Sequence, residues 1–129
     1  MLLDTHVVVW LALDQSRLSK RARAAIQEAR TKAEGLAVSG ITLFELATLA
    51  DKGRISFNAS IESFLQEVET RFSVIPITSR ICVQAFKFGA RYPNDPADRL
   101  IGATAVVEGL PLLTADSAIR RSKALPTIW

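Results

Sequence analysis

The stretch Asn94 to Asp116, NDPADRLIGATAVVEGLPLLTAD, holds a helix, a strand and the start of a second helix, each with its own boundary residue. Asp95 is an acceptor suited to an N-cap. Pro96 suits the first helical position, where its missing N–H would have no partner anyway, and Gly109 suits a helix stop. The spacing predicts a helix from Pro96 to Gly109, a short buried strand over Leu112 to Thr114, and a short helix opening at Asp116. Asp95 and Asp98 stand three apart, which resembles a capping box with Asp in place of the usual Glu or Gln.

The same alternation continues on both sides. Residues 1 to 4, MLLD, read as a buried strand, and a helix follows directly over Thr5 to Leu13. Ser19 opens an Arg- and Ala-rich helix with apolar residues at Leu18, Ala22, Ala25, Ile26 and Ala29; it runs to about Ala33 and Gly35 stops it. Leu36 to Ser39 reads as a strand, with a helix capped at Thr42 running through Lys52 to Gly53. Ile61 to Thr70 is read as a helix, Phe72 to Ile77 as a β-branched strand, Ser79 to Ala90 as a helix, and Thr127 to Trp129 as a final edge strand. Strands alternating with helices imply an α/β protein whose parallel sheet is covered on both faces.

Bulk properties agree with one domain over residues 1–129. Apolar residues make up 49% of the chain and charged residues 22%, a balance that can bury a core and excludes intrinsic disorder. The longest apolar runs stop well short of the ~20 residues needed to span a bilayer. The start MLLDTH has no basic segment of the kind that opens a secretory signal, so a cytoplasmic location is expected. Cys82, the single cysteine, has no partner for an internal disulfide and reads as a small buried hydrophobe beside Ile81, Val83 and Phe86.

Four acids, Asp4, Glu45, Asp98 and Asp116, fall where a strand or turn hands over to a helix. A parallel sheet gathers its strand ends along one edge, where ligands bind, so acids far apart in sequence can converge. Converging carboxylates repel unless one is protonated or a cation lies between them, and Mg²⁺ or Mn²⁺ is the natural cation. Each acid also has a plainer explanation. Asp4, Asp95 and Asp116 sit where an acid caps a helix, and Glu45 shares with Thr42, Thr48 and Lys52 a stripe that could face water. Formal charge is +3, and setting four acids against metal leaves 16 basic residues to 9 acidic, which suits a polyanionic substrate. The basic residues cluster from Arg17 to Lys32 and again at Arg120, Arg121 and Lys123.

Other chemistries are incomplete. His6 is the single histidine, which excludes histidine-rich metal ligation, and it reads as packing at the first helix start. Neither a GxGxxG nor a GxxxxGK[ST] loop occurs, and position 6 breaks the DxDxT pattern of aspartate-based phosphatases.

The segments LLDTHVVVW, SGITLFELATLADKGRI, NDPADRLIGATA and LLTADSAIR, in this order and spacing, closely resemble the PIN-domain ribonucleases of the VapC toxin family over Met1 to Trp129. That resemblance implies a three-layer αβα sandwich and a Mg²⁺- or Mn²⁺-dependent endoribonuclease, the toxin of a toxin–antitoxin pair, leaving 5′-phosphate and 3′-hydroxyl ends. It carries catalytic, metal-holding roles onto Asp4, Glu45, Asp98 and Asp116, and accessory roles onto Thr5, Asp95, Arg99 and Thr114. It also implies a homodimer and a small antitoxin that covers the acidic groove. Departures are Ala97, where the family often has Phe, and Asn94, where a basic residue is common. Trp10, Phe44 and Trp129 are candidate interface anchors or core residues. Two rivals stand beside the enzyme. A non-catalytic RNA-binding module of the same fold would bind RNA without Mg²⁺, and a receiver-like phospho-acceptor domain would need an acidic pair after the first strand that is missing here.

Overall fold

The computed structural model describes all residues 1–129. Five short strands, β1 (Leu2–Leu3), β2 (Ala37–Ser39), β3 (Ser73–Ile75), β4 (Leu112–Leu113) and β5 (Thr127–Ile128), form one sheet in the order β3-β2-β1-β4-β5. Every pairing is parallel. Because strand side chains alternate between faces, neighbouring residues of one strand enter different cores. Leu3, Val38 and Leu113 join α1 (Thr5–Leu13), α2 (Lys20–Thr31), α3 (Gly40–Asp51) and α4 (Ile61–Arg71) in one cluster. Leu2, Ala37 and Leu112 join α6 (Pro96–Glu108) and α7 (Ser117–Ser122) in the other. A helix–sheet–helix sandwich follows, as the alternation of strands and helices predicts. Leu2, Leu3, Leu112 and Leu113 are fully buried, so truncating one to Ala costs about 2 to 5 kcal/mol.

Each helix begins on an Asp, Ser or Thr whose side chain accepts a first-turn N–H: Asp4, Ser19, Ser39, Ser60, Thr78, Asp95 and Asp116. A cap of this kind is worth about 1 kcal/mol. Helix α3 differs from expectation because it follows β2 with no linker. Ser39, the last residue of the strand, caps it, and Thr42 lies buried inside its first turn.

Two further helix ends and one burial depart from the sequence reading. Helix α2 ends at Thr31, and Ala33 rather than Gly35 takes the left-handed conformation, with φ 53. The Glu34 N–H to Ala29 carbonyl and Ala33 N–H to Arg30 carbonyl bonds close a Schellman motif there. Helix α5 (Ser79–Ala85) stops well before Ala90, because the Arg99 guanidinium takes the Ala85 carbonyl and Phe88 leaves the helix to stack on Tyr92 at 4.0 Å. Cys82 is exposed, not buried. Ile81 and Ala85, one turn apart, fill the contact with α6, which turns Cys82, Val83 and Phe86 outward.

Strand β1 lies between β2 and β4, so the chain leaves it for β2 and β3 and returns on its other side for β4 and β5. The crevice beyond the carboxyl ends of β1 and β4 is the topological switch point, where open α/β sheets bind ligands. Asp4 and Asp116 are the residues delivered there.

Candidate functional site

Asp4 is 4% exposed, and its N–H donates to the Leu113 carbonyl, tying the end of β1 to β4. Its carboxylate accepts from the Thr5 N–H at 2.8 Å and from the Thr114 hydroxyl at 2.6 Å. The same Thr114 oxygen accepts the Asp116 N–H at 3.0 Å, so one hydroxyl positions two acids. Asp116 is half-buried and caps α7 by accepting the Ile119 N–H at 2.9 Å. Across the pocket the Thr5 hydroxyl donates to Glu45 at 2.6 Å and lies 3.1 Å from the Thr42 hydroxyl. The polar stripe of α3 therefore turns inward at Thr42 and Glu45, while Thr48 bonds its own helix at the Phe44 carbonyl.

Asp98 sits in the first turn of α6. Its N–H donates to Asp95 at 3.1 Å, which forms the Asp95 half of the capping box, and its carbonyl accepts the Tyr92 hydroxyl at 2.7 Å. Tyr92 is 2% exposed, and Gly102 leaves room for its ring.

Electrostatics join these side chains into one site. Burial, then the charges of Asp4, Asp95, Asp116 and Glu45, push the Asp98 carboxyl up to about 7. Burial also raises Glu45, with Asp4 and Asp95 adding to it and the Thr5 bond opposing. Asp4 is raised as well, chiefly by burial and against the Thr114 bond. No lysine or arginine forms an ion pair with these acids; the two ion pairs of the chain are exposed i,i+4 contacts, Glu28 with Lys32 and Glu67 with Arg71. The donor set is all oxygen, which suits a hard divalent cation, and a cation would remove the repulsion that raises Asp98. The carboxylates are nonetheless spread: no three Asp, Glu, His or Cys side chains stand close enough to hold an ion as they are. The chemistry of the donors suits such a cation; their spacing in this structure does not.

Of the accessory residues, Thr5 and Thr114 orient carboxylates directly, and Asp95 is an exposed cap whose charge reaches Asp98 and Glu45. Arg99 turns away, bonding the Ala85 carbonyl at 3.1 Å and Asn94 at 3.0 Å. Thr42 and Tyr92 complete the site, and neither is singled out as a site residue by sequence reasoning. A cavity of about 830 Å³ lies at the other edge of the sheet, lined by residues such as Leu11, Leu36, Phe64 and Phe72, and includes none of the four acids.

The sequence pattern of the PIN domain matches residues 1–125. The chain belongs to the PIN-domain family. Within that family it is similar to Ribonuclease VapC22 of Mycobacterium tuberculosis, at 38% identity over 131 residues that cover 100% of this chain and 98% of the relative, which makes it a VapC-type PIN domain. Its fold matches VapBC2 from Rickettsia felis bound to a promoter DNA fragment, with a TM-score of 0.72 at 18% identity over 98% of this chain and 95% of the other. It also matches DNA-bound VapBC from Salmonella typhimurium, with a TM-score of 0.71 at 21% identity over 98% and 94%. A toxin–antitoxin complex from Klebsiella pneumoniae gives 0.62 at 25% identity over 90% and 86%. The PIN match thus covers residues 1–125, with Asp4 and Asp116 at the sheet switch point.

Proposed function

We propose that this PIN domain is a Mg²⁺- or Mn²⁺-dependent endoribonuclease and the toxin of a toxin–antitoxin pair. The reading is carried by Asp98, whose carboxyl is pushed up to about 7 by burial and by Asp4, Asp95, Asp116 and Glu45. Functional sites favour a carboxyl so destabilised in its charged form and set in a crevice among other acids. Likeness to Ribonuclease VapC22 supplies the substrate class.

In this mechanism Asp4, Glu45, Asp98 and Asp116 would hold the metal, which when bound would supply a water activated near neutral pH and charge for the departing oxygen. Thr114 holds Asp4 and Asp116 in register, and Thr5 fixes the Glu45 rotamer. Asp98 would have to be deprotonated to serve as a ligand. No histidine base is required.

The solved relatives named as VapBC or toxin–antitoxin complexes support an antitoxin partner. A homodimer is part of the same proposal. Phe44, at 69% exposed, and Phe86, at 86%, are apolar side chains that a partner surface would cover.

The open spacing of the carboxylates favours one competing reading, a PIN-fold module that binds RNA without cutting it. Incubating total cellular RNA with the purified protein in Mg²⁺, in Mn²⁺ and in chelator, beside Asp98→Asn, separates the two. Discrete metal-dependent fragments, absent with Asp98→Asn, support the nuclease. RNA retention that ignores metal, with no fragments, supports the binding module.

A further inference from the structure

We propose that His6, Trp10, Trp129 and Arg17 form a stacking track for the bases of single-stranded RNA, leading into the acidic site. The proposal rests on the ribonuclease reading and extends it to how substrate is held.

His6 is exposed at the start of α1, next to Thr5, whose hydroxyl holds Glu45, and two residues from Asp4. His6 therefore stands beside the pocket that Asp4, Thr5 and Glu45 line. No ion pair engages it. One turn along α1, the Trp10 ring lies 6.0 Å from the imidazole. Trp129 packs on Trp10 at 5.7 Å, and the Arg17 guanidinium lies 4.7 Å over the Trp10 ring. Trp129 follows β5 at the same carboxyl edge as the acids, where the Thr114 N–H donates to the Ile128 carbonyl.

The half-buried tryptophans rest on the core beneath α1, which fixes them, and stay partly open to solvent. An edge of the core has no use for an exposed imidazole at one end and an exposed guanidinium at the other. Single-stranded RNA uses both: bases stack on aromatic and guanidinium planes whatever their identity, and phosphates follow the positive charge. The basic residues Lys20, Arg21 and Arg23 begin α2 just beyond Arg17. An acidic pocket repels a polyanion, so substrate needs such a hold outside the carboxylates.

The test uses the protein's own reporters, since its two tryptophans both lie on the track. A short single-stranded RNA oligonucleotide is titrated in chelator, so that nothing is cut, with binding read by anisotropy and by tryptophan fluorescence. Wild type is expected to bind with saturable quenching. His6→Ala should weaken binding by on the order of tenfold, the loss of one stacked base, and His6→Phe should restore it. In Mg²⁺, His6→Ala should raise KM while kcat holds. Equal affinity for wild type and His6→Ala overturns the track, as does RNA binding without quenching. A His6→Phe protein as weak as His6→Ala, or a loss confined to kcat, also overturns it by making His6 a polar or proton-transferring group. If wild type neither binds nor cuts RNA, the ribonuclease reading itself falls; if it cuts RNA but ignores His6→Ala, only the track falls.

Discussion

The Tyr92 ring occupies the space that a side chain at Gly102 would need: a Cβ built there runs into the phenol oxygen and meets the ring carbon beneath it at 2.8 Å. The phenol's hydroxyl is thereby aimed at the Asp98 carbonyl, 2.7 Å away, and Phe88 stacks against the ring. Gly102→Ala is expected to expel Tyr92, destabilise the fold by about 1 to 3 kcal/mol as overpacking does, and misplace Asp98. Tyr92→Phe keeps the packing and loses one hydrogen bond, worth about 1 kcal/mol. Denaturant melts of both variants check this. A Gly102→Ala protein as stable as wild type would show that the ring has somewhere else to go.

Thr114 offers a cleaner perturbation, because Thr114→Val keeps shape and removes one hydroxyl. Asp4 then loses its 2.6 Å donor and the Asp116 N–H loses its acceptor. Such partners of a metal-holding residue typically account for about 10- to 100-fold in metal affinity or activity. The expected result is a Mg²⁺ requirement shifted upward by that factor, measured as cleavage rate against Mg²⁺ concentration. An unchanged Mg²⁺ curve would remove Thr114 from the site.

Most of the architecture was legible because local signals and tertiary packing agree. Asp95, Pro96 and Gly109 bracket α6 as read from the sequence, and the strand expected over Leu112 to Thr114 forms over Leu112–Leu113, paired with β1. The acids were legible as a pattern of strand-to-helix junctions. What escaped depends on contacts between distant segments. Thr42 reads as a cap, yet Ser39 takes that role because β2 runs straight into α3. Nothing around Tyr92 signals that it will meet Gly102. The end of α5 is set by a guanidinium from another helix, and the exposure of Cys82 by which side of α5 meets α6.

Ala33 makes a prediction about stability alone. It closes α2 at φ 53, a left-handed conformation that costs an L residue with a Cβ about 1 to 2 kcal/mol. Ala33→Gly removes that cost but gives the unfolded chain about 0.4 to 1 kcal/mol more entropy to lose. The net expectation is a small gain, up to about 1 kcal/mol, with cleavage unchanged, since Ala33 lines the cavity at the edge of the sheet away from the acids. A fall in melting temperature would mean that the Ala33 methyl packs more usefully than its backbone suffers.

The acids themselves predict an inverted pH response that metal should correct. Asp98 is raised from its ordinary value of 3.8 to about 7, first by burial and then by Asp4. The folded protein therefore binds a proton that the unfolded chain has already released. Its contribution to stability is fully present below the unfolded value and is lost as pH rises toward the folded one. Glu45 and Asp4 are raised too and act in the same direction. Asp98 is only partly buried, and with solvent screening the loss between about pH 4 and pH 7 is on the order of 1 to 2 kcal/mol. Mg²⁺ binds the deprotonated carboxylates, so the stabilisation it confers grows as pH rises. Thermal melts in chelator and in Mg²⁺ across this range, for wild type and Asp98→Asn, measure both effects. The metal-free wild type should lose stability relative to Asp98→Asn as pH increases, and Mg²⁺ should return most of it at pH 8 and little at pH 5. Parallel pH profiles for the two proteins would mean that Asp98 titrates as an ordinary surface carboxylate, and the argument for a strained acidic site would lose its central residue.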